Sequence, residues 1–130
     1  MRARPLSPHL TIYRMRRYSL LSSFANRLSG LALSAGLLLL LYWLVALSRG
    51  ARAYAHAQEW LSSPLARLIY LALIASFCYH LVAGIRHLVW DTGRGLEKAQ
   101  SQRSAWLVIG AALVLTVLCA LWAFRVREAL

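Results

Sequence analysis

The sequence predicts an all-α integral membrane protein with three transmembrane helices and a basic cytoplasmic N-terminal arm. Three observations carry that prediction. In a chain of 130 residues, 60% are apolar and only 15% charged, and a mean hydropathy of +0.56 is too high for an ordinary soluble domain of that length. The apolar residues gather into three runs long enough to cross a bilayer. The 15 basic residues against four acidic ones, a formal charge of +11, lie at the ends of those runs. A charge of that size raises the possibility of nucleic acid, but no Gly/aromatic interleaving and no recognised nucleic-acid module accompanies it, so the membrane reading is taken. Cys78 and Cys119 lie inside apolar runs without metal-type spacing and read as small packing residues rather than a disulfide or zinc site.

The arm covers residues 1–27, with Arg2, Arg4, Arg14, Arg16, Arg17 and Arg27 and no acidic residue. Pro5 and Pro8 argue against helix at its start. Leu28 to Leu47 are 20 residues without a charge, enough at about 1.5 Å per residue to cross about 30 Å of hydrocarbon, and the first helix is placed at about 22–48. A cleaved signal peptide is the rival reading, with Ala51-Arg52-Ala53 and Ala55-His56-Ala57 as superficial cleavage sites. The apolar run and the basic region before it are both too long for one. Ser48 to Pro64 read as a loop containing Arg49, Arg52, His56 and Glu59, with Ser62-Ser63-Pro64 as a helix start signal. Eighteen uncharged residues separate Arg67 from Arg86, giving a second helix at about 64–91. Asp91 to Arg103, with Gly93 and Gly95, suit a short turn-rich connection. Ser104 to Phe124 are 21 uncharged residues followed by Arg125 and Arg127, giving a third helix at about 103–125. Gly30/Ser34, Ala32/Gly36 and Gly110 are small residues that permit close helix packing. The whole chain reads as a single membrane-anchor domain.

Six arginines in the arm, with Arg94, Lys98 and Arg103 in the second loop, place the N-terminus and that loop on the cytoplasmic side by the positive-inside rule. The second helix then runs inward. Its last part holds Ser76, His80, Gly84, His87 and Asp91, which fall within about 40° of one line at 100° per residue. Ionisable residues inside an apolar span are costly and mark a cavity, a cofactor or a partner. A neutral imidazole at His80 beside the small Gly84 is what a planar macrocycle needs to approach a helix, so haem b with His80 as axial ligand is one reading. A buried histidine hydrogen-bonded to a neighbouring helix is the other. His87 cannot ligate the same iron, since seven residues separate the two by about 10.5 Å along the axis. With His9 in the arm and His56 in the outer loop, a second ligand has to come from another chain. His87 is then either near a haem propionate or an ordinary interfacial histidine. Arg86 points away from the stripe, within cation–π reach of Trp90, and reads as a snorkelling, lipid-facing residue. Ser23 and Arg27 share a face. They could hold a quinone carbonyl, or be a capping serine beside an arginine reaching phosphates.

RPLSPHLTIY at Arg4 to Tyr13, SFANRLSG at Ser23 to Gly30, and the H-x-x-x-G-I-R-H-x-x-x-D pattern at His80 to Asp91 resemble the cytochrome b subunit of succinate dehydrogenase. The likeness covers most of the chain, and the three motifs occur in the family's order. It implies a three-helix subunit paired with a second three-helix anchor in the lipid bilayer, docking an iron–sulfur subunit and a flavoprotein subunit. It also implies that His80 is one axial ligand of a single haem b shared with that second anchor, and that Ser23 and Arg27 line the site where ubiquinone is reduced. Where the family commonly has histidine before the motif arginine, this chain has Asn26, so the haem-propionate contact associated with that histidine is altered. The chain leaves no room before the RPLSPH arm for a transit peptide, which favours a bacterial inner membrane. The implied chain is not catalytic alone. The alternatives are the anchor of a quinol:fumarate reductase and a haem-free structural anchor.

Overall fold

The computed structural model describes residues 17–129; the arm motif at Arg4 to Tyr13, with His9, lies outside them. Four helices follow one another: α1 (Arg17–Ser48), α2 (Ala51–Leu61), α3 (Pro64–Asp91) and α4 (Lys98–Ala129). No strand occurs among the described residues. Three stretches are long and apolar enough to cross a membrane, Leu21–Ser48, Pro64–Asp91 and Lys98–Val126, each about 42 Å long at 1.5 Å per residue. The three long helices are the membrane spans.

α1 begins at Arg17, so part of the sequence assigned to the arm is helical. Its end is set at Gly50, whose φ of +93° is a conformation that L side chains rarely adopt. The segment 48–64, expected as a loop, contains the 11-residue helix α2. This short helix buries Ala57 and Leu61 against Ala46, with Trp43 packed alongside, and Trp60 meets Tyr42 edge to face at 6.4 Å. α3 starts as the sequence signals: Ser63 Oγ accepts from the Ala66 N–H at 3.2 Å, and Pro64 stands where its missing N–H costs nothing. α4 begins at Lys98, which turns the end of the expected second loop, including Ser101, into helix.

α3 is the central helix, packed on α4 at one side and on α1 at the other, while α1 and α4 touch little. The packing uses small residues. The buried set is Ala, Cys, Ser, one Leu, one Val and Arg86, and no large side chain is fully buried among the described residues. Lipid tails are as apolar as leucine, so leucines gain little by turning inward, whereas alanine, glycine and serine let backbones approach. Gly36 is one such point: a Cβ there would lie 2.8 Å from Leu73 Cδ2. Two hydroxyls in the spans bond to their own helix, Ser34 Oγ to the Gly30 carbonyl at 3.0 Å and Thr116 Oγ1 to the Ala112 carbonyl at 2.7 Å, and so do not present a free donor to hydrocarbon.

Candidate functional site at the α1–α3 contact

The polar residues of α3 do not share one environment. His80 turns toward α1, where a Cβ on Gly30 would lie 3.2 Å from its Cε1. Its Nδ1 stands 3.1 Å from Ser29 Oγ and 3.2 Å from the Asn26 carbonyl oxygen. Ser29 Oγ spends its own proton on that same carbonyl at 2.8 Å. Both groups facing Nδ1 are therefore acceptors, and the network assigns the proton to Nδ1. Nε2 is left with its lone pair, and among the described residues it has no hydrogen-bond partner. A carbonyl behind Nδ1 with a bare Nε2 in front is the arrangement that fixes a metal-binding imidazole.

Gly84 lies one turn further along α3, and a Cβ there would meet nothing within 4 Å. Open space one turn from an imidazole with a free nitrogen leaves room for a planar ligand, so the residues present fit an axial imidazole of a haem. His87 and Asp91 take no part in the contacts of His80 with α1. Both are exposed, and the His87 ring stands edge-on to Trp90, 5.2 Å away with an interplanar angle of 84°. Among the described residues, no group of three or more His, Cys, Asp and Glu side chains is placed to hold a metal ion.

On α1, Ser23 is half-buried and Arg27 exposed, one turn apart at the end of the helix that His80 grips. Asn26 carries the one buried side-chain acceptor without a partner among the described residues, its Oδ1. Ser29 was not singled out by the sequence, although Ser22, Asn26 and Ser29 form a polar i, i+4, i+7 line on the face that meets α3.

Arg86 differs from the expectation of a lipid-facing, snorkelling side chain. It is only 8% exposed, donates from Nε to Ser104 Oγ at 2.9 Å and from Nη2 to the Ser101 carbonyl at 2.8 Å. The cation–π contact with Trp90 is present, Cζ lying 3.9 Å from the ring centroid, and Trp90 Nε1 donates to the Gly95 carbonyl at 3.1 Å. The guanidinium turned inward because α4 begins early enough to present two serines to it. Cys78 is buried and Cys119 exposed, and both are free thiols.

Comparison with known proteins adds an independent line. Residues 1–119 match the family described as succinate dehydrogenase/fumarate reductase transmembrane subunit. The succinate dehydrogenase cytochrome b556 subunit of Paracoccus denitrificans is 41% identical over 115 residues, covering 88% of this chain and 88% of that protein. The subunit of the same name from Rickettsia prowazekii is 38% identical over 119 residues, covering 92% and 90%. The mitochondrial succinate dehydrogenase cytochrome b560 subunit of Sus scrofa is 41% identical over 119 residues, covering 88% of this chain and 66% of that protein.

Proposed function

The chain belongs to the succinate dehydrogenase/fumarate reductase transmembrane subunit family, and on that premise we propose that it is the cytochrome b anchor of a succinate:ubiquinone oxidoreductase. In this reading it holds one haem b through His80, contributes Ser23 and Arg27 to the ubiquinone site, and docks the iron–sulfur and flavoprotein subunits at a bacterial inner membrane. Its N-terminus and second loop face the cytoplasm.

The observation that carries the reading is the placement of His80 Nδ1 against Ser29 Oγ and the Asn26 carbonyl. With two acceptors at Nδ1, 3.1 and 3.2 Å away, the imidazole is locked in the tautomer whose Nε2 can bind iron, and the carbonyl behind it raises the ligand's basicity. A bound haem supplies a one-electron store near the quinone site. The chain's own part would be to orient the imidazole, with Gly84 leaving room one turn away. The single histidine at this depth among the described residues supports a second anchor subunit that brings the other ligand.

Succinate is oxidised at the flavin of a partner, and electrons arrive through iron–sulfur centres at ubiquinone. Ser23 Oγ donates a hydrogen bond to a quinone oxygen. Arg27, exposed at the start of the span, stabilises the negative charge that develops on that oxygen as electrons arrive and orders water for its protonation.

The test is spectroscopic. A reduced-minus-oxidised spectrum of the purified complex shows a b-type haem band that disappears in His80→Ala; an unchanged band in that variant overturns the ligand assignment. In parallel, Arg27→Ala slows quinone reduction by about 100-fold, the scale of losing one charge-stabilising donor, while succinate oxidation by a soluble dye is spared.

A further inference from the structure

Consecutive residues on a helix point about 100° apart, yet Tyr79 and His80 of α3 both bond to the main chain of α1. Tyr79 Oη donates to the Ser22 carbonyl at 3.1 Å, reaching round its own helix with a long, rigid ring. His80 Nδ1 donates to the Asn26 carbonyl at 3.2 Å. The acceptors are four residues apart, so the pair of bonds grips one full turn of α1. Each gripped carbonyl belongs to a particular peptide plane: the Ser22 carbonyl carbon is bonded to the nitrogen of Ser23, and the Asn26 carbonyl carbon to the nitrogen of Arg27. The peptide bond is planar, so holding the carbonyl holds the plane from which the next side chain springs.

We propose that Tyr79 is a positioning residue for the quinone site, its hydroxyl fixing the 22–23 peptide plane and with it the height and rotation of Ser23 Oγ. The inference rests on the quinone reading of Ser23 and Arg27. His80 does the same for Arg27 through the next turn, so one pair of adjacent residues on α3 sets both quinone-facing residues on α1. Tyr79 is half-buried at the helix contact, so its hydroxyl has a defined place.

The experiment uses the assembled complex. Tyr79→Phe keeps the ring and removes the bond. It raises the KM for ubiquinone about tenfold, the scale of losing fixed orientation of one hydrogen-bonding group; kcat changes less, and dye-linked succinate oxidation and the haem spectrum stay as in the unaltered complex. Ser23→Ala gives a comparable rise, and Tyr79→Phe added to Ser23→Ala adds little, because Tyr79 acts through Ser23. An unchanged quinone KM in Tyr79→Phe overturns the inference, as do full additivity with Ser23→Ala and a parallel loss of haem or dye activity. If Ser23→Ala and Arg27→Ala both leave quinone kinetics intact, it is the quinone reading that fails. Should Tyr79→Phe lower the yield of complex, the comparison still holds on the fraction that assembles, since KM does not depend on enzyme concentration.

Discussion

Two glycines flank His80, one on its own helix and one on its neighbour, and they do different work. Gly30 is where α1 makes room for the imidazole: an added Cβ would stand 3.2 Å from Cε1 and 3.7 Å from Nδ1, so even alanine must push the ring. Gly84 faces open space, so a side chain there meets nothing in this chain and gains about 1 kcal/mol of helix propensity for alanine. The two substitutions therefore separate ring placement from macrocycle access. Gly84→Leu leaves the complex assembled with a lower haem-to-protein ratio, measured by pyridine haemochrome; full haem content in that variant would mean that the macrocycle passes elsewhere. Ser29→Ala removes one of the two acceptors at Nδ1 and leaves the Asn26 carbonyl. Haem is then retained but released about 10-fold more readily, at the lower end of the effect of groups that orient a ligand, which a competition with apomyoglobin reads directly.

Between elements, Arg86 is the main polar tie of α3 to α4. Its guanidinium bonds Ser104 Oγ and the Ser101 carbonyl at 2.9 and 2.8 Å while stacking on Trp90, and lysine can reproduce neither the fork nor the stack. Arg86→Lys costs roughly 1–3 kcal/mol, seen as a lower melting temperature of the complex in detergent, and Arg86→Leu costs more. Melting unchanged in both would show that apolar contacts alone hold the pair. This tie also marks where sequence reasoning stops. The three spans are legible because an uninterrupted apolar run of 18 to 21 residues has few other physical solutions. His80 is legible because a histidine in such a run must be accounted for. Arg86 was not, since its partner Ser101 sits where charge and glycine suggested a loop, and an arginine near a span end has snorkelling as its default. α2 was missed for a related reason: its inward side is Ala57 and Leu61, alanines give little periodic signal, and its stability comes from packing on Trp43 and Ala46 rather than from its own sequence.

At the scale of the molecule, the side on which the α1–α3 site lies decides whether the proposed chemistry is possible. Three spans put the two ends of the chain on opposite faces of the bilayer. His80 stands 11 residues before the end of α3, about 16 Å by helical rise, and Ser23 and Arg27 lie at the matching end of α1. The whole site therefore belongs to the half of the bilayer next to the second loop, while α2 and the Tyr42–Trp60 pair sit at the other interface, where amphipathic rings are favoured. Electrons from soluble iron–sulfur and flavin subunits can reach the site only if that half is cytoplasmic, which is also what Arg94, Lys98 and Arg103 require of the second loop. Alkaline phosphatase, active only outside the cytoplasm, is thus inactive when fused in the second loop between Gly93 and Gly95 and active when fused after Leu130; a green fluorescent protein gives the reverse pattern. The opposite outcome would turn Ser23 and Arg27 to the outer face, beyond the reach of cytoplasmic partners, and would remove the ubiquinone assignment together with the orientation.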